Sequence, residues 1–171
     1  MHVNLPFTYT LLVASTHASP TSLQARQFDP AEFISDVGDL ASVITGVTDG
    51  ITSLAQDQLT IITALPSILG GISTISGLLD TIVLEVPQLS TALPPDVQEQ
   101  ICVNVQPAIE AETALVNALN TITAIAPSVT GPVEDAMSSA QAVFVAIVSG
   151  VVQQLPTCSY LIDGGETITR A

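Results

Sequence analysis

Apolar residues recur along this chain at alternating steps of four and three, the signature of a helix laid against a partner. The first series runs Phe33, Val37, Leu40, Ile44, Val47, Ile51, Leu54, then Ile61 and Leu65, with Gln58 its one polar interruption. Asp29-Pro30 offers an N-cap and a first-turn proline, and Glu32 stands where a capping box places its acid. Pro66 is expected to end this helix, because the residue before a proline is pushed out of helical geometry. Gly38, Gly46 and Gly50 each cost about 1 kcal/mol relative to Ala, so a bend or break is expected between Gly46 and Gly50.

After Ser67, read as an N-cap, the pattern restarts with Ile68, Ile72, Ile75, Leu79, Ile82 and Val86, and Pro87 stops it. A third helix is expected from about Pro95 to Ile125, carrying Val97, Ile101, Ile109, Leu115, Leu119 and Ile122. Pro107 falls inside it and should kink it. Pro127 and Gly131-Pro132 mark a loop with Thr130 as cap. The fourth series is then Val133, Met137, Ala140, Phe144, Ile147, Val151 and Leu155, closed by Pro156. A β reading of the branched run Val143 to Val152 is the alternative, and the three-four spacing on both sides favours helix. The expected fold is all-α: an up-down bundle of four helices, or five if the first breaks, with long, Pro-punctuated helices and one disulfide.

Composition changes the picture in two ways. Of 171 residues, 47% are apolar and 11% charged, against about 25% charged in an ordinary soluble domain. The net charge of −14 comes from 16 acidic residues against Arg26 and Arg170, with no lysine. That balance repels phosphate backbones and anionic headgroups, so nucleic acid is not an expected partner. No run reaches the 18 or more consecutive apolar residues of a simple membrane span, so no transmembrane segment is expected.

The expected organisation is a signal peptide over residues 1–18, a short pro-segment or disordered leader over 19–28, and the helical bundle over 29–171. Leu5 to Ala14 supplies a short apolar stretch, and Thr16-His17-Ala18 leaves small residues at −3 and −1 of a cleavage site. Arg26 could close the pro-segment. The expected location is secreted, extracellular or at the cell wall, with glycans confined to Ser and Thr because no Asn-x-Ser/Thr sequon occurs. Two cysteines in an exported chain suggest one disulfide, two buried thiols being the alternative. Cys102 near the start of helix three and Cys158 past the end of helix four lie at the same end of an antiparallel hairpin, where the bond can close.

Catalytic options are few. Both histidines, His2 and His17, fall in the leader, so the mature chain has neither His nor Lys. That excludes Ser-His-Asp and Cys-His arrangements, a Schiff-base lysine, a P-loop lysine and His-based zinc sites. Carboxylates and the phenol of Tyr160 remain. Glu32, Asp36 and Asp39 share a helix face, Glu110 and Glu112 face different ways, and Glu134 with Asp135 opens helix four. The first and last groups read as solvated acids favoured by helix dipoles. Asp163-Gly164-Gly165-Glu166 is the nearest approach to a calcium loop and reads as a turn. No catalytic residue, cofactor or metal site is expected, and the chain is read as non-enzymatic.

The informative feature is distributed. Ile34, Ala41, Val43, Ala55, Leu59 and Ile62 lie off the first stripe, and Leu69, Leu78, Val83 and Leu84 off the second. Either these residues broaden an ordinary core, or they leave an exposed apolar face or an internal apolar cavity. If there is a cavity, its expected lining is Ile72, Ile75, Leu79, Leu115, Leu119, Phe144 and Ile147.

The short leader, the Ala25-Arg26 step and the long aliphatic-striped helices from Asp29 to Pro156 resemble a family of fungal secreted proteins. These are the hydrophobic surface-binding proteins and the related cell-wall galactomannoproteins. Phe33-Ile34-Ser35-Asp36-Val37-Gly38-Asp39-Leu40 is similar to the family's opening helix, while the cysteine pair, the lack of lysine and Pro107 depart from it. The resemblance implies a small helical bundle that adsorbs to hydrophobic surfaces, with secreted hydrolases as candidate partners. The alternative it implies is a soluble carrier holding a fatty acid or other lipid between its helices. It carries no catalytic motif.

Overall fold

The computed structural model describes residues 28–55 and 57–163. The expected leader segments with Arg26, the Gly164-Gly165-Glu166 turn and Arg170 lie outside them. Helices α1 (Pro30–Leu54), α2 (Gln58–Glu85), α3 (Pro95–Ile125) and α4 (Thr130–Gln154) form a bundle, followed by the single turn α5 (Tyr160–Asp163). No strand occurs among the described residues, and Val143 to Val152 is helical throughout.

Each stripe becomes one wall of a single core. Phe33, Leu40, Ile44 and Ile51 of α1 are buried, as are Ile72, Ile75, Leu79 and Ile82 of α2. Ile101, Leu115 and Ile122 of α3 meet Phe144, Ile147 and Val151 of α4 in the same cluster. Most off-stripe residues widen these walls. Ile34, Ala41, Val43, Ala55, Leu69, Leu78 and Val83 are half-buried against the core, whereas Leu59, Ile62 and Leu84 stay exposed.

The first helix breaks later than the expected Gly46 to Gly50 and ends earlier than the expected Pro66. It is intact through Gly46 and Gly50 and stops at Leu54, and Pro66 lies inside α2 instead of ending a helix. The break follows from capping. The Asp57 carboxylate accepts from the Thr60 amide at 2.9 Å and from its hydroxyl at 2.5 Å, starting α2 at Gln58. Those bonds hold the Asp57 carboxyl below its ordinary value. Ser67 is therefore an interior residue, and Thr130 likewise begins α4 from within instead of capping it. Pro66 and Pro107 are tolerated because both sit on outer surfaces. The carbonyls they leave without a ladder partner, those of the exposed Ile62 and Val103, are open to water.

The helices alternate in direction, but their spatial order is not the simplest one. α1 packs against α2 and α3, and α2 also packs against α4. A Cβ on Gly71 would meet Val47, and one on Gly150 would meet Val86. α1 and α2 are thus antiparallel, while α2 and α4 end together and run parallel. α1 and α3 form the other parallel pair. The chain reaches this order by crossing the end of the bundle between Glu85 and Pro95. Gln98 secures the crossing: its side chain is buried, and Nε2 donates to the carbonyls of Thr91 (3.1 Å) and Leu93 (2.7 Å). At that end Cys102 and Cys158 form a disulfide with Cα atoms 5.2 Å apart, joining the start of α3 to the turn after α4.

Candidate functional site

The expected cavity lining comes together only in part. Ile75, Leu79, Leu115 and Phe144 surround a void at mid-height with Ile44, Met137 and Ala140. Ile72, Leu119 and Ile147 are buried in the same core away from that void. The void measures about 10 Å³, at most room for one water. An acyl chain could enter only if helices moved apart.

The polar rim of this void was not anticipated. Glu112 of α3 and Gln141 of α4 also line it, and Gln141 Nε2 donates to Glu112 Oε1 at 3.3 Å. Burial pushes the Glu112 carboxyl above its ordinary value, and the bond from Gln141 only partly offsets this. A signal for this was present in the chain. Ile101, Val105, Ala108, Glu112, Leu115, Leu119 and Ile122 keep unbroken steps of four and three, so Glu112 occupies a core slot. Glu110, by contrast, is exposed and accepts from Gln106 Nε2 at 3.0 Å.

The remaining carboxylates do not converge. Asp39, Glu134 and Asp135 are exposed, and no cluster of three or more metal-ligating side chains exists among the described residues. Tyr160 is exposed at the edge of an open groove of about 480 Å³ with Pro95, Glu99, Val103 and Thr157, beside the disulfide. A second open groove, about 200 Å³, lies between Phe28 and Glu32 at the start of α1 and Leu84 of α2 with Gln88 of the 3-10 turn that follows it.

The broadest chemical feature is the outer surface of α2 and α4. By length and composition, both are apolar enough to cross a membrane, yet only 22% and 33% of their apolar windows are buried in the bundle. Ser, Thr and Gly interrupt each of these apolar runs, so neither reaches 18 consecutive apolar residues. No charge occurs between Asp57 and Asp80, or between Asp135 and Asp163. Leu59 (70% exposed), Ile62, Leu84 (73%) and Val145 stand out on these two helices.

No family model matches the chain, and no curated protein or solved structure matches it.

Proposed function

We propose that this is a secreted, non-enzymatic protein that binds apolar material by adsorbing to hydrophobic surfaces at or outside the cell wall. The observation that carries the reading is the outer surface of α2 and α4, which is uncharged over most of its length and leaves Leu59, Ile62, Leu84 and Val145 exposed. Exposed aliphatic area is driven onto an apolar phase by the same dewetting that builds a core. The chain's −14 charge keeps it dispersed in water until it meets such a phase. The Cys102–Cys158 bond supports an oxidising compartment. The pattern-level resemblance to hydrophobic surface-binding proteins points the same way.

Among the described residues, the void within the expected lining is near 10 Å³, which favours adsorption over carriage of an acyl chain there. Depletion of the purified, disulfide-intact protein onto alkane-coated beads tests the reading. Uptake should be saturable and should hold or rise as salt increases, because hydrophobic burial is not screened as ion pairing is. Protein that stays in solution over the beads at every salt concentration would sink it.

A further inference from the structure

The charges of this bundle are segregated by layer. α1 with its cap carries Asp29, Glu32, Asp36, Asp39 and Asp49, and α3 carries Asp96, Glu99, Glu110 and Glu112. Several of these lie in mid-helix. On α2 and α4 the acids keep to the ends: the cap Asp57, then Asp80 and Glu85 in the last two turns of α2, and Glu134 and Asp135 in the first two turns of α4. α2 and α4 are parallel neighbours, so their outer sides make one continuous surface. Its exposed charges lie toward its two ends, Asp80 near the end of α2 and Glu134 with Asp135 near the start of α4.

Five of the hydroxyls on these two helices are already spent on their own backbone. Thr63 donates to the Leu59 carbonyl (3.0 Å), Thr74 to Gly70 (3.0 Å), Ser76 to Ile72 (3.1 Å) and Thr81 to Gly77 (3.3 Å). On α4, Ser138 donates to the Asp135 carbonyl at 3.1 Å. Hydroxyls satisfied by their own helix lose little when water leaves, whereas an exposed carboxylate would lose its hydration outright.

We propose that α2 and α4 form the contact face, lying flat on an uncharged hydrocarbon surface while α1 and α3 stay turned to water. The proposal rests on the adsorption reading above and specifies its geometry and partner chemistry. Charge selects the occupant. A second copy would bring another −14 against the first, and an anionic bilayer would repel the same acids, but a neutral alkane or wax phase opposes neither. Two helices of 28 and 25 residues give a face of about 40 by 20 Å, roughly 800 Å², which equals one side of a standard protein interface.

The test compares two triple variants that add the same charge. Leu59→Glu with Ser73→Glu and Ala146→Glu places three carboxylates on the face. Thr45→Glu with Thr113→Glu and Thr121→Glu places three on exposed sites of α1 and α3. Uptake onto alkane-coated beads should fall about tenfold or more for the first variant and less than about twofold for the second. Equal losses would mean that net charge alone governs uptake, and no loss in the first would place contact elsewhere; either result overturns the proposal. A wild-type dimer in light scattering that the face variant dissociates would assign the face to a second copy, and also overturns it. Wild-type protein that fails to adsorb defeats the adsorption reading itself, a distinct result.

Carbodiimide labelling of adsorbed wild-type protein needs no variant to fold. Asp80 should be protected and the exposed acids Asp39, Asp49 and Glu110 should stay reactive. The reverse pattern, or uniform labelling, overturns the assignment.

Discussion

The α1/α3 and α2/α4 layers share one core and one helical grammar, yet they treat water differently. α1 and α3 carry acids in mid-helix, including Asp39, Glu110 and Glu112. α2 and α4 have nothing charged from Gln58 to Leu79 or from Ala136 to Gln154. Inward, the layers are alike, since buried aliphatics at steps of three and four line both. Burial therefore tells nothing about which layer is which. Glu112 apart, the distinction lies in the exposed half of each helix, where no packing constraint dictates Ser over Glu. A difference that the fold does not require is the kind that function leaves behind.

The contrast can be tested first at the bond that ties the layers together. The disulfide closes a loop of sequence separation 56, so in the chain-entropy account it contributes about 4 kcal/mol. Replacing Cys102 and Cys158 by Ser should lower Tm by about 8–16 °C in a domain of this size, measured by circular dichroism. A drop of under about 2 °C would mean that packing alone holds the layers.

The next effect concerns close approach. A Cβ on Gly71 would lie 2.8 Å from Val47 Cγ2 across the α1–α2 seam, and one on Gly150 would lie 2.5 Å from Val86 Cγ1. Valine is stiff at χ1 and cannot swing aside. Gly71→Ala and Gly150→Ala should each destabilise by about 1–3 kcal/mol in urea unfolding. Gly70, one residue along and on the outer side of α2, has nothing within 4 Å. Gly70→Ala should instead stabilise by up to about 1 kcal/mol, so that adjacent glycines give opposite signs.

The smallest effect lies between the layers at Glu112. Burial raises its folded pKa, so between the unfolded and folded values the native state binds more protons than the unfolded chain. Its contribution to stability accordingly falls as pH rises through that window. Glu112→Gln should raise Tm at neutral pH, by less than about 3 °C for a group this near solvent, and the gain should vanish in acid where the native carboxyl is already protonated. A gain that persists unchanged at low pH would point to packing instead of charge.

Most of this architecture is legible in the chain because three-four periodicity and proline punctuation report burial directly. Helix three and the ends of helices two and four fall where the pattern puts them, and the cysteine pair closes the expected hairpin. The first boundary was not legible, for a physical reason. The polar slots at Gln58 and Glu112 interrupt their stripes identically, but one begins a helix and the other is an interior carboxylate bonded across a seam. Only tertiary context separates them, although Asp57 beside Gln58 was a capping signal. The spatial order of helices was also hidden, since alternating directions permit both a cyclic and a diagonal path. The candidate site was half legible. Off-stripe aliphatics announced an apolar surplus, but whether it lined a void or faced outward depended on how tightly Leu115, Met137 and Phe144 met.

One consequence of the Cys102–Cys158 loop reaches outside folding. No basic residue lies anywhere between Arg26 and Arg170, so trypsin-like enzymes find no peptide bond to cut within the ring, whether the chain is folded or fully unravelled. Proteases that prefer aliphatic or acidic positions would have to open it, and a single nick there leaves both fragments linked through sulfur. Digestion resistance of this kind survives heat and denaturant, because it is written into the covalent chemistry and not into the packing.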